Sequence, residues 1–203
     1  MNDFRVALTF DAEHPSRRQC PPGIAEQILL ALHAHEAKAT FFVQGRWATA
    51  YPDVARAIAR AGHVIGNHSH SHAPMPDLSD RGMSVDIEEA ESSIRRVTGA
   101  DPRPWFRCPF GEGADDPRVL AVLAASGYRN IHWDVDASDW KDEQTATNVE
   151  KEIVNQALQR RDGVIVLLHS WPAPTLIALP RIIERLRSAD ARFITIADLG
   201  DGS

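Results

Sequence analysis

Histidine recurs at every second position in the stretch GNHSHSHAPM, residues 66–75, as His68, His70 and His72. Imidazole is the commonest protein metal ligand, so the pattern raises a metal site. Alternation alone leaves open how many of the three converge. On an extended chain positions i, i+2 and i+4 share a face, whereas on a helical turn only i and i+4 do. Four other short clusters carry reactive groups: Asp11-Ala12-Glu13-His14, Arg107-Cys108-Pro109-Phe110, the run from Asp134 through Asp136 to Asp139-Trp140, and His169-Ser170-Trp171. Histidines with a carboxylate make a three-ligand site that keeps a position for water, the open arrangement of catalytic zinc. A second carboxylate can take a proton from that water, and a separate histidine can return one to the leaving group. Arg107 can grip a carboxylate through two parallel hydrogen bonds. Together these are the parts of a metal-assisted hydrolase.

Such parts need a scaffold that brings them to one place. Strand-like runs at 5–10, 39–43, 63–67, 104–107, 129–133, 163–169 and 192–196 are short and rich in β-branched or aromatic residues. The run GVIVLL is apolar on both faces, as a central parallel strand must be. Helical patterns lie between them at 23–36, 52–62, 79–99, 115–127, 145–163 and 176–188. Ser79 is placed to cap its helix and Gly99 to stop it, and Pro180 predicts that the last helix starts near 179 or kinks. Seven strands alternating with about six helices predict an α/β domain with a parallel sheet, either a barrel or a doubly wound sheet. In such folds reactive residues gather at the carboxyl ends of strands. Five of the predicted strands end in one of the reactive clusters.

The chain of 203 residues is 43% hydrophobic, which suits one domain spanning 1–203. Its net charge of −6 and scattered Arg and Lys argue against a nucleic-acid face. No apolar run is long enough to span a bilayer, and no secretory signal precedes the first strand, so a cytoplasmic protein is expected; a chain trimmed of its leader would read the same and be secreted. Cys20 and Cys108 are few and far apart, as free thiols are. Oligomeric state is not legible.

The clusters, in this order, resemble the polysaccharide deacetylase family, also called the NodB-homology fold or carbohydrate esterase family 4. They read TFDAEHP, HSHSH, RCPF, SDW and LLH, and they span residues 5 to 170. The resemblance implies a deformed (β/α) barrel of about seven parallel strands, like a TIM barrel with strands missing. It implies a divalent metal, zinc foremost, with cobalt, nickel or manganese as substitutes. It implies removal of acetyl groups from N-acetylglucosamine-type amides, in chitin- or peptidoglycan-like oligosaccharides, by a metal-held water. His68 and His72 are then metal ligands, and their spacing points to a turn of helix after the strand, with His70 on the rim. The family's first motif has two adjacent acids, and here Ala12 takes the second place. Glu13, on the same side of an extended segment as Asp11, substitutes as ligand, with His14 as its rival. Asp11 becomes the base, oriented by Arg107. Asp139 supports His169 as general acid. The backbone N–H of Phe110 helps hold the oxyanion, and Leu167, Trp140 and Trp171 wall the acetyl pocket.

Other roles stay ordinary. His33, His35, His63 and His132 read as surface or core histidines, Asp134 and Asp136 as turn caps with substrate contact by one of them as the lesser alternative, Asp115 and Asp116 as a helix start, and Cys108 as packing within the arginine motif. Trp47 and Trp105 read as core unless exposed enough to stack on a sugar. Two alternatives accompany the deacetylase: a cyclic amide or imide hydrolase of the same fold acting on a small soluble substrate, and an inactive carbohydrate-binding relative, for which Ala12 is the best argument.

Overall fold

The computed structural model describes residues 3–14 and 23–200. It forms one parallel sheet of eight strands: β1 (Phe4–Ala12), β2 (Thr40–Val43), β3 (Val64–Asn67), β4 (Trp105–Phe106), β5 (Arg129–Asn130), β6 (Val135–Asp136), β7 (Val164–His169) and β8 (Ala191–Ile194). Their order is β5-β4-β3-β2-β1-β7-β6, with β8 also paired to β1. β7 follows β1 from Val6 to Asp11, so the other edge of β1 is shared: β8 pairs with Phe4–Ala7 and β2 with Thr9–Ala12. The sheet curls into a deformed barrel that stays open between β5 and β6. The chain itself crosses that gap, with Ile131 N–H bonded to the Phe106 carbonyl and Asp134 N–H to that of Ile165.

The period-two alternation of strands decides what faces what. On β1, Val6, Leu8, Phe10 and Ala12 enter the main core between the sheet and the surrounding helices. Ala7 belongs to the inner cluster, and Thr9 and Asp11, continuing its face, meet Arg107. On β7, Val164, Val166 and Leu168 face the helices, leaving Ile165, Leu167 and His169 for the inside. Ala12 is therefore a core residue, and an acid there would point away from the reactive rim.

The helices are α1 (Ile24–Ala34), α2 (Gly45–Ala50), α3 (Pro52–Arg60), α4 (Asp80–Thr98), α5 (Pro117–Ala125), α6 (Ala146–Arg160) and α7 (Ala173–Arg187). Ser79 and Asp116 cap α4 and α5 through their side chains, and Gly99 ends α4 in the left-handed conformation. Among the described residues no helix is long and apolar enough to cross a membrane.

Three elements depart from expectation. α7 begins at Ala173 rather than near 179 and carries Pro180 inside it. Its stripe Ala178, Leu179, Ile182, Ile183 and Leu186 is buried, and that packing offsets the roughly 3 kcal/mol an internal proline costs. α2 has six residues, too short for a readable period. The run expected as one strand over 129–133 stops at Asn130, and β6 starts afresh at Val135.

Gly45 opens α2 against α4. A Cβ there would lie 2.7 Å from Ala90 Cα and 2.5 Å from His70 Nδ1. Gly45→Ala should therefore destabilise the protein by roughly 1–3 kcal/mol, through overpacking that backbone cannot relieve. Urea unfolding measures this; an unchanged midpoint would contradict the close approach.

Candidate active site

Parallel register places the reactive strand ends side by side. Asp11 pairs with His169 of β7 on one edge and with Phe42 of β2 on the other. Asn67, the residue before His68, pairs with Phe106, the residue before Arg107. Adjacent parallel strands lie about 4.8 Å apart, so these four ends form one rim.

Arg107 anchors the rim. Its side chain is fully buried. Nη1 donates to Thr9 Oγ1 and Asp11 Oδ1, both at 2.8 Å, and Nε donates to the Ile131 carbonyl at 3.1 Å. Asp11 is thus held by one hydrogen bond, not by the two-pronged grip expected, because the rest of the guanidinium is engaged by backbone closing the barrel. The guanidinium also lies 4.1 Å from the centre of the Phe42 ring. The backbone carbonyl of Arg107 meets His68 Nδ1 at 2.8 Å, so that nitrogen carries the proton and Nε2 faces the site with a free lone pair.

Glu13, His68 and His72 converge. Glu13 Oε2 is 3.2 Å from His68 Nε2 and in direct contact with His72 Nε2, and the two Nε2 atoms are 3.2 Å apart. Neighbouring donors of a tetrahedral ion with bonds near 2.0–2.1 Å stand roughly 3.3 Å apart. The three side chains are buried, and their donor atoms all lie within 4.8 Å of one another. Two imidazoles and a carboxylate at this spacing fit a divalent metal. Burial opposes charge on Glu13, yet His14, His68 and His72 outweigh it and hold the carboxyl well below its usual range. Burial lowers the pKa of His72, which favours the neutral, ligating form. His68 goes the other way: against its burial, Asp11 and Glu13 raise it, a pull that a cation would answer in place of the proton.

His14 is not part of this group. Its Nε2 bonds Glu13 Oε1 at 2.9 Å, so it supports the carboxylate from outside. His70 turns away from the cleft, toward Gly45 and Glu89, and does not reach the rim expected of it. Nor is there a helical turn between His68 and His72. Asp86 of α4 prevents one, accepting the backbone N–H groups of His70 at 2.8 Å and Ser71 at 3.0 Å. Ser69 and His72 adopt left-handed backbone, and Ser69 Oγ accepts His72 N–H. Asp86 was not singled out from the sequence; a buried acid on a helix is its only local signal.

His169 and Asp139 form the second charged unit. Asp139 Oδ1 is 2.6 Å from His169 Nδ1, while Oδ2 accepts the His169 backbone N–H and the Thr175 hydroxyl. Thr175 too escaped notice in the sequence. Burial works against the imidazolium, but Asp139, then Glu13 and Asp11, raise the pKa of His169 to about 9. Its Nε2 lies 3.8 Å from Glu13 Oε1, facing the cluster of Glu13, His68 and His72.

These groups line a cleft of about 260 Å³, walled by Phe110, Trp133, Asp136, Trp140, Leu167 and Trp171. Phe110 is 57% exposed and Trp140 44%, while Leu167 and Trp171 are buried. The Phe110 ring packs edge-on against His72. Trp133 and Asp136 join the wall beyond the residues expected there. Trp47 and Trp105 do not: Trp47 packs on Tyr51, and Trp105 under Arg129. Cys108 is buried and its thiol is pushed up to about 12, a packing residue rather than a reactive one. Cys20 lies outside the described residues.

The family model described as polysaccharide deacetylase matches residues 1–131. A peptidoglycan-N-acetylglucosamine deacetylase of Bacillus cereus is 33% identical over 203 residues, covering 98% of this chain and 69% of the relative. The peptidoglycan-N-acetylmuramic acid deacetylase PdaC of Bacillus subtilis is 31% identical over 198 residues, covering 98% and 39%. Among solved structures, a CE4 family pseudoenzyme from Bacillus anthracis superposes with a TM-score of 0.84 at 27% identity, over 98% of this chain and 66% of that one.

Two outcomes are expected. Asp86→Ala should weaken Co²⁺ or Zn²⁺ binding by roughly 10- to 100-fold in calorimetry, as loss of a ligand-positioning partner does, and an unchanged affinity would sink the role assigned to it. In metal-free protein His169 should titrate near pH 9, and Asp139→Asn should bring it down toward 6.5 or below. Because the folded value lies above the unfolded one, the stability this pair contributes is complete below pH 6.5 and lost as pH rises through 9. Histidine NMR titration reads the shift; a value indifferent to Asp139→Asn would refute the pairing.

Proposed function

The chain belongs to the polysaccharide deacetylase family, and we propose that it is an active metal-dependent hydrolase removing the acetyl group from an N-acetylated sugar of the N-acetylglucosamine type. The observation that carries this reading is the juxtaposition of three metal-ligand side chains with Asp11 on one side and the charged His169–Asp139 pair on the other. A divalent ion held by Glu13, His68 and His72, for which zinc suits the donor set, would polarise the acetyl carbonyl and acidify the attacking water.

The remaining steps belong to side chains. Asp11 Oδ2 lies 3.5 Å from His68 Nε2, at the edge of the ligand cluster, while Arg107 holds its other oxygen. Asp11 is therefore placed to take the proton of the attacking water. His169, charged at neutral pH, stands across the cluster to give a proton to the departing amine nitrogen. The backbone N–H of Phe110 is the protein donor assigned to the oxyanion. Trp140, Leu167 and Trp171 enclose the acetyl methyl.

The inactive alternative loses its main argument. Ala12 faces the core, and Glu13 brings its carboxylate to His68 and His72, which supports reading Glu13 in place of the missing second acid. Asp11, Arg107, Asp139 and His169 are all in place, and a decayed enzyme has no reason to keep them. The exposed aromatic rim of Phe110 and Trp140 favours a sugar over a small cyclic amide, since a pyranose ring has an apolar face to lay on it.

Metal-stripped protein should release no acetate from N-acetylglucosamine oligomers and should regain activity with Zn²⁺ or Co²⁺. Asp11→Asn and His169→Ala should each lower kcat by roughly 10²- to 10⁴-fold, the usual worth of a positioned base or acid. Absence of acetate release with any metal would overturn the assignment.

A further inference from the structure

Asp136 is an acid in the cleft for which the reaction above has no use. It ends β6 in register with Leu167, two residues before His169 on the inner face of β7. Its Oδ1 accepts the Ser138 backbone N–H at 2.6 Å, which holds Ser138 in left-handed backbone and orients the carboxylate. The carboxylate lines the cleft with Trp133, Trp140, Leu167 and His169. Burial, with the nearby charge of Asp139, raises its pKa, so the ionised group gains from a further hydrogen-bond donor. Among the described residues no lysine or arginine lines the cleft. Arg107 is buried behind Asp11, and the ammonium of Lys141 stands 5.5 Å from the Trp140 ring on the exposed side of the chain.

We propose that Asp136 recognises the free hydroxyl beside the acetamido carbon and thereby makes this cleft select N-acetylglucosamine over N-acetylmuramic acid. The inference rests on the deacetylase reading. When the acetamido group lies between Asp11 and His169, the sugar carbon next to it is the nearest bearer of a hydroxyl, and Asp136 is the one cleft-lining carboxylate, among the described residues, not already assigned to the chemistry. In N-acetylglucosamine that carbon carries a hydroxyl, which donates to a carboxylate. In N-acetylmuramic acid it carries a lactyl ether, which has no donor and brings its own carboxylate toward Asp136. The second sugar thus leaves Asp136 unpaired and adds a like charge, and both effects oppose binding. Relatives acting on each sugar exist, so the difference lies in side chains such as this one rather than in the fold.

Asp136→Asn keeps an acceptor for Ser138 N–H and removes the charge. Three substrates separate the roles: a trimer of N-acetylglucosamine, the same trimer with an N-acetylmuramic acid residue at its centre, and 4-nitrophenyl acetate, an acetyl ester without a sugar. Wild-type enzyme is expected to prefer the first trimer at least tenfold in kcat/KM. Asp136→Asn is expected to lose about tenfold on that trimer, mainly in KM, to lose clearly less on the ester, and to narrow the preference between trimers. Equal losses on trimer and ester would make Asp136 merely structural and overturn the proposal. Equal wild-type activity on both trimers would also overturn it while leaving the deacetylase reading intact. Wild-type enzyme that cleaves the ester and neither binds nor deacetylates either trimer would overturn both.

Discussion

The Arg107–Asp11 ion pair, buried where the barrel fails to close, is the constraint on which the rest of the site depends. A guanidinium out of water is costly unless every donor has a partner, and removing one member of such a pair typically costs about 3–5 kcal/mol. Here the partners come from three segments that lie far apart in sequence: Thr9 and Asp11, the backbone at Ile131 and His132, and the ring of Phe42 beneath. Satisfying Arg107 therefore fixes the gap between β5 and β6, the position of Asp11, and, through the Arg107 carbonyl, the tautomer of His68. One residue links Asp11, His68 and barrel closure.

The rest of the rim is held by polar contacts that override local backbone preference. His14, Ser69, His72, Phe110 and Ser138 all adopt left-handed backbone, although none is glycine. Such residues cost of order 1–3 kcal/mol each and persist only when their surroundings overdetermine them. Asp86 and Ser69 do so for the histidine loop, Gln44 for His14, and Asp136 for Ser138. The strained positions coincide with the reactive ones because a strand end must bend sharply to turn its next side chains inward.

Charge is arranged in two compensated units. Glu13 sits among His14, His68 and His72, and Asp139 is committed to His169 and Thr175. The first set concentrates negative charge on donors that suit a cation. The second keeps a histidine charged while it is buried. Asp136 lines the cleft and belongs to neither.

Much of this was legible without coordinates. The strand-like runs, their clusters at carboxyl ends and the order of those clusters identify a parallel α/β domain with Asp11, Glu13, His68, His72, Arg107, Asp139 and His169 on one rim, because period-two alternation and strand direction are local properties. What escaped depends on contacts across the chain. Asp86 and Thr175 act through hydrogen bonds to residues 15 or more positions away, and nothing in their neighbourhoods announces it. The bend that replaces the expected helical turn, the single bond of Arg107 to Asp11 and the outward turn of His70 follow from which partners the folded chain offers. Helix α7 runs through Pro180 because its buried stripe outweighs a local rule. Residue type and spacing thus determined what chemistry the chain carries, and tertiary packing decided which atoms face it, since backbone strain and buried charge are tolerated only once distant partners are in place.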